Sequence, residues 1–266
     1  MRRRRGDRDR GTYEDPQIVS SYGRDRRLQA PEQTLLDELA PDLARMEMLD
    51  LGVGAGRTAW HFAPRVNSYL GLDYARTMVQ RCRQDLPAYR FVVGDASNLD
   101  FADDNSYDFV LFSYNGLDHL ELPDRERALI EMKRVLRPGG IMAFSSHNAN
   151  FLDVIVDRFR FRIRPSLRET ARSLKWAVVF NLHNPTLRFR LPLSVGIVND
   201  GLHGFRSSGI CYIRPDRQVA TLARLGLQDI RCAPNERAQY SKGTEPEVAT
   251  FASPWVYYRC RKAGLH

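Results

Sequence analysis

The chain of 266 residues has only four cysteines, Cys82, Cys211, Cys232 and Cys260, widely scattered and without a C-x-x-C pair. That pattern argues against a disulfide framework or a zinc site. Each cysteine is expected to be a small buried hydrophobe in a reduced, cytoplasmic compartment. No histidines stand at H-x-x-x-H spacing, so no catalytic metal is expected. No apolar run approaches the ~18–20 residues of a membrane span. The basic N-terminus is not followed by an apolar segment, so no secretory leader is expected. No internal repeat is present.

Lysine is also scarce, since 36 of the 40 basic residues are arginine. The net charge of +8 is uneven: residues 1–10 carry +4 and residues 151–210 carry +6, which leaves the remainder at −2. A near-neutral body with basic excess on a tail and one segment does not suit a nucleic-acid-coated protein.

What is present is Met48-Leu49-Asp50-Leu51-Gly52-Val53-Gly54-Ala55-Gly56-Arg57-Thr58, an apolar strand running into three alternating glycines before a helix. Glycine tolerates positive φ and lets a ligand approach the backbone. A strand feeding such a turn places N–H groups at the carboxyl edge of a parallel sheet. The spacing is G-x-G-x-G rather than the dinucleotide G-x-G-x-x-G, and Arg57 occupies the place of the third glycine. Asp50 would repel a pyrophosphate but can accept from an ammonium group, which points to S-adenosylmethionine. Further strands read at Tyr69–Asp73, Phe91–Gly94, Tyr107–Ser113 and Ile141–Phe144. Asp73 ends the second, about 20 residues past the glycines, where an acid suits a ribose diol. Asp95 follows the third, where it can meet an adenine amino group.

These residues together resemble the class I S-adenosylmethionine-dependent methyltransferases. The matching elements are Leu49–Gly56, Gly71-Leu72-Asp73-Tyr74, Gly94-Asp95-Ala96, Tyr107–Val110 and Val135–Gly140, the last a helix stop and turn before strand five. The resemblance covers roughly residues 46–148. It implies an α/β fold: a seven-stranded, mostly parallel Rossmann-like sheet with helices on both faces. The fourth-strand loop reads Ser113-Tyr114-Asn115-Gly116, not the Asn-Pro-Pro-Tyr of many amino-directed nucleic-acid enzymes of this fold. A small-molecule, saccharide-linked or lipid-linked acceptor is therefore expected, methylated on oxygen or nitrogen, with no nucleic-acid partner.

The chain divides into a disordered basic tail (1–12), an N-terminal lid and helix segment (13–45), the S-adenosylmethionine-binding core (46–148), a substrate-covering insertion after strand five (149–208) and a C-terminal return to the core (209–266). Tyr13 and Tyr22 are lid candidates. The expected cofactor ligands are Tyr22, Asp50, Gly52, Gly54, Gly56, Asp73, Tyr74, Met78, Asp95, Ala96, Ser113 and Tyr114. Methyl transfer depends on a near-attack geometry, and an oxygen nucleophile also benefits from a base near neutral pH. His119, after strand four, and His147, at the end of strand five, are the rival bases. In the insertion, arginines alternate with Phe159, Phe161 and Ile163 from Arg158 to Arg164, a strand-like or extended spacing with one charged and one apolar face. Such arginines suit an anionic acceptor. Together with Trp176 they also suit a peripheral membrane surface. Two rivals stay open: a methyltransferase-like module that binds the cofactor without turnover, and a dinucleotide-dependent oxidoreductase.

Overall fold

The computed structural model describes residues 11–206 and 209–264. Most of the expected basic tail, residues 1–10, lies outside them; residues 11–13 are helical, and Thr12 is buried. Two helices lead in, α1 (Pro16–Tyr22) and α2 (Ala30–Leu43). The second opens on Ala30 with Pro31 next, under a reciprocal Gln29–Glu32 capping box. Proline in the first turn, where its missing N–H is not needed, and a cap that satisfies two free N–H groups fix where this helix begins.

The sheet then alternates with helices: β1 (Glu47–Leu51), α3 (Ala59–Phe62), β2 (Ser68–Asp73), α4 (Arg76–Asp85), β3 (Arg90–Val93), β4 (Tyr107–Phe112), α5 (Leu122–Val135) and β5 (Leu136–Asn148). Next come α6 (Leu152–Arg158), α7 (Leu167–His183), α8 (Leu187–Arg190), β6 (Val195–Val198), β7 (Ile210–Ile213), α9 (Pro215–Arg224), β8 (Leu227–Pro234), β9 (Ser241–Lys242) and β10 (Trp255–Lys262).

Among the described residues the sheet has ten strands, not the expected seven. Its main path runs β3-β2-β1-β4-β5-β10-β8-β9, with β7 against β5 and β6 against β7. The first seven strands of that path are the expected sheet, parallel from β3 to β5 and closed by antiparallel β10 and β8. The three extra strands are β9 and the β6–β7 pair, which joins through His147 and Asn148.

Alternation in the central strands explains the layering. Val110, Phe112, Met142 and Phe144 face one core with Leu129 and Met132 of α5, while Phe109, Leu111, Ile141 and Ala143 face another with Leu35 and Leu39 of α2. Both faces are covered, so these strands read as continuous apolar runs. A third cluster, built on Leu152, Phe180, Val198 and Tyr212, belongs to the inserted region and β7.

Three local expectations need correction. The turn expected at residues 136–140 lies within β5, where Gly139 at φ +79° and a register shift against β4 absorb the bend. The Arg158–Arg164 segment joins no strand; after Arg158 ends α6 it runs as irregular chain, because no neighbouring edge pairs with it. The helix after the glycine loop is a single turn, Ala59–Phe62, continued as 3₁₀ through Arg65, since Pro64 stops the ladder. So short a helix adds little dipole to the site.

Candidate active site

β1 is flanked by β2 on one side and β4 on the other. At this reversal of strand order the loops leave on opposite faces and open a crevice at the carboxyl edge. A cavity of about 1200 Å³ lies there. It exceeds the roughly 300–1,000 Å³ of a usual small-ligand site, which leaves room for two molecules side by side.

The floor is the glycine loop. Gly52, Gly54 and Gly56 all have positive φ, at +59°, +55° and +88°. A Cβ on Gly52 would stand 2.5 Å from the Phe112 ring, whereas one on Gly54 would meet nothing within 4 Å. The first glycine is thus required by packing, and the second keeps the backbone open to a ligand. Asp73, buried at the end of β2, accepts from Gly54 N through Oδ2 and from Ala75 N through Oδ1, each at 2.8 Å. Each oxygen keeps a second lone pair for a hydroxyl donor. Burial pushes Asp73 up to about 6, against those backbone donors.

Asp50 is buried at the end of β1 and lines the same cavity. Its Oδ2 accepts from Thr58 at 2.6 Å and Tyr69 at 2.8 Å, while Oδ1 has no partner among the described residues. Burial pushes it to about 6 as well, opposed by those two hydroxyls. Asp95 is exposed on the cavity rim and accepts from Ser97 N and Oγ, with Ala96 buried beside it. Met78 lines the cavity from α4 and packs with Tyr13, Val19 and Ala75. Tyr13, Tyr22 and Tyr74 form an edge-to-face cluster over this end, with ring centroids about 6 Å apart. His119 closes it, its Nε2 3.1 Å from the Tyr13 hydroxyl.

The loop after β4 forms the opposite wall. Tyr114, at φ +53°, lies under the Arg57 guanidinium at 4.8 Å. Ser113 is buried and donates to Glu32. Glu32 was not expected at the site. It also accepts from Arg57 at 2.5 and 2.6 Å and from the Tyr257 hydroxyl at 2.9 Å. Burial alone would raise this carboxyl, but the Arg57 pair holds it below the usual range. Its signals in the sequence were the capping-box spacing after Gln29 and the arginine that replaces the third glycine.

His147 is not on the cavity wall. Its ring lies 6.3 Å from Trp255, whose ring lies 6.0 Å from Tyr114. Its Nδ1 and backbone N both meet Asp118 Oδ2, at 2.9 and 2.6 Å. Asp118 is fully buried and takes Ser146 and Arg125 on Oδ1. Burial would raise Asp118, but His147 and Arg125 hold it below its ordinary value. Of the other histidines, His61 contacts Arg26 O, His183 contacts Val179 O, and the His203 side chain lies outside the description. Among the described residues no His, Cys, Asp or Glu cluster is arranged to hold a metal.

Comparison with known proteins finds a methyltransferase domain within the chain. Residues 48–140 match the family model described as Methyltransferase domain. The demethylmenaquinone methyltransferase of Renibacterium salmoninarum is 28% identical over 63% of this chain and 69% of its own length. The phthiotriol/phenolphthiotriol dimycocerosates methyltransferase of Mycobacterium tuberculosis is 37% identical over 41% of this chain and 40% of its own. The solved S-adenosylmethionine-dependent methyltransferase of Mesorhizobium loti has the same fold, with a TM-score of 0.56 at 20% identity over 87% of this chain and 98% of that one. Residues 48–140 thus carry a methyltransferase domain, and the fold is that of solved S-adenosylmethionine-dependent methyltransferases.

S-adenosylmethionine is the cofactor of this methyltransferase, and the cavity fits it. The open Gly54 edge lets a ligand reach the backbone, and the Asp73 and Asp50 carboxylates offer acceptors that suit a diol and an ammonium. A pyrophosphate would meet two buried carboxylates instead.

Proposed function

We propose that this methyltransferase methylates a hydroxyl oxygen of a small-molecule, saccharide-linked or lipid-linked acceptor, with His147 as general base. The observation that carries this is the Asp118–His147 pair. With Nδ1 committed to a buried carboxylate, Nε2 is the ring nitrogen that takes a proton, and Asp118 stabilises the imidazolium that results. A neutral amine would need no such pair. S-adenosylmethionine, when bound, supplies an electrophilic methyl and departs as the neutral thioether.

In this reading Asp73 holds the ribose diol, Asp50 the ammonium, and Asp95 with Ala96 the adenine edge, while Tyr22, Tyr74 and Met78 flank the nucleoside. Ser113 and Tyr114 border the methionine end. The acceptor is taken to lie beside Tyr114, Trp255 and His147, whose rings pack in series from the cavity wall to Tyr212. His119 acts through Tyr13 to hold the N-terminal aromatic cover. It is a positioning residue rather than the base.

The test is methyl-labelled S-adenosylmethionine incubated with the protein and a fractionated cell extract, followed by mass spectrometry of the labelled product. A methyl ether is expected, and a methyl ester, which comes from a carboxylate that needs no base, counts against the proposal. His147→Ala should cut turnover by roughly 10²–10⁴-fold with S-adenosylhomocysteine affinity unchanged, and His119→Ala should weaken that affinity while sparing turnover at saturation. A labelled amine, or a fully active His147→Ala, sinks the proposal.

A further inference from the structure

The inserted region holds a second cavity, of about 730 Å³, which shares no lining residue with the cofactor crevice. That volume lies within the roughly 300–1,000 Å³ of small-ligand sites. Arg158, Arg160, Arg164 and Arg172 line it, with Trp176 and a single acid, Glu169. Among the described residues none of these four guanidiniums makes an ion pair. Arg162, in the same stretch but off the cavity wall, pairs with Asp157 at 2.6 Å. The four come together from separate segments: the end of α6, the irregular chain after it, and the second turn of α7.

The frame that holds them is specific. The backbone N–H of Arg162 donates to Ser173 Oγ and that of Arg164 to Thr170 Oγ1, each at 2.9 Å. The Thr170 hydroxyl donates back to Arg164 O at 3.2 Å. These bonds pin a chain without a strand partner onto α7, and so set Arg160 and Arg164 around the same hollow as Arg172. Trp176 stacks on Phe205 at 5.9 Å and Phe159 on Phe180 at 4.6 Å, which fixes an aromatic wall.

Like charges gathered around one hollow repel each other, and an anion between them relieves that repulsion. A carboxylate has two oxygens, which one guanidinium satisfies. A phosphoryl group carries about −1.5 to −2 charges and three acceptor oxygens, and each arginine can grip two of them in parallel. Other occupants fit less well. A nucleic-acid strand calls for cations spread along its backbone rather than gathered at one point. A bilayer would have to meet cations and hydrocarbon on one face, but the cavity residues of α7 lie on the side of the helix opposite its exposed Leu167, Leu174, Val178 and Leu182.

We propose that this cavity is a binding site for a small organic phosphate, its phosphoryl group held by the four arginines and its carbon part against the aromatic wall. The site stands close behind the reaction centre. Gly201 on its wall follows Asp200, whose Oδ2 accepts from the Tyr212 hydroxyl at 2.8 Å, and the Tyr212 ring lies 5.1 Å from that of His147. The phosphate belongs either to the acceptor itself or to a second ligand, and the chemistry of the site is the same for both.

The experiment is calorimetric titration of the full chain, saturated with S-adenosylhomocysteine to fill the cofactor crevice, with inorganic pyrophosphate and with acetate at fixed ionic strength. Pyrophosphate is expected to bind once per chain, and acetate not to bind. Arg160→Gln/Arg164→Gln and, separately, Arg172→Gln should each weaken pyrophosphate binding by at least about tenfold. Arg162→Gln should leave it unchanged, and S-adenosylhomocysteine affinity should hold in every variant as the folding control. Pyrophosphate bound no better than acetate, or weakened as much by Arg162→Gln as by the cavity variants, overturns the proposal. Methyl labelling in cell extract treated beforehand with immobilised phosphatase then tells the sources apart. Loss of the labelled product assigns the phosphate to the acceptor, and an unchanged product assigns it to a second ligand; the site stands in both cases. Pyrophosphate binding needs no turnover, so this proposal and the hydroxyl-acceptor proposal fail separately.

Discussion

Asp73 titrates at about 6 in the folded chain, against about 3.9 for an aspartate in an unfolded one. Between those values the folded state holds a proton that the unfolded state has lost. Its contribution to stability is therefore complete below about pH 4 and disappears as the pH rises through about 6. A diol donates better to a carboxylate than to a carboxylic acid, so cofactor binding pulls the other way. S-adenosylhomocysteine affinity should rise between about pH 5 and pH 7 and then level off, with proton release on binding at the lower pH, as calorimetry in two buffers would show. Asp73→Asn should flatten that profile and weaken binding by about tenfold or more. A second buried charge behaves differently. Glu32→Gln leaves the Arg57 guanidinium without its carboxylate, and should cost about 3–5 kcal/mol in urea denaturation. Adding Arg57→Met to it should recover part of that loss, because the orphaned charge is then gone.

The glycine loop sets the outcome at the level of elements. Gly52→Ala brings a methyl group within 2.5 Å of the Phe112 ring on β4, while Gly54→Ala meets no neighbour within 4 Å. Both also impose a left-handed backbone on alanine, at about 1–2 kcal/mol. Thermal melts should therefore show Gly52→Ala clearly less stable than Gly54→Ala, while Gly54→Ala should lose S-adenosylhomocysteine affinity more than stability. The strands around this loop were legible in the sequence because each ends in a residue with its own chemistry: Asp50, Asp73, Asp95, Ser113. The insertion was not. The alternation from Arg158 to Arg164 suggests a strand, but strand pairing is decided by a partner edge, which no local pattern encodes. His147 could be named from its place at the end of β5. The role of Asp118 beneath it could not, because 29 residues separate the pair and only the parallel pairing of β4 with β5 brings them together. Glu32 was hidden in the same way, since its partners Arg57, Ser113 and Tyr257 come from three distant segments.

Across the whole molecule, burial is uneven. The central strands are sealed on both faces, whereas α7 buries only Ala177 and Phe180 along its 17 residues. Regions with few buried apolar contacts open below the global unfolding free energy. Amide exchange should be fast along α7 and slow in β1, β4 and β5. One register governs how such openings reach the chemistry. β5 outruns β4, which pairs with it as far as Phe144, and in the space beyond β4 the strand β7 takes its place beside His147, with β10 on the other side. The insertion is thus bolted to the strand that carries the histidine, and it cannot swing like a door without dragging His147 out of line. The Tyr13 segment has ties of its own, the Tyr13 hydroxyl on His119, Thr77 on the Tyr13 carbonyl and Arg206 on Asp15, and the rate of cofactor exchange should follow how fast those ties open.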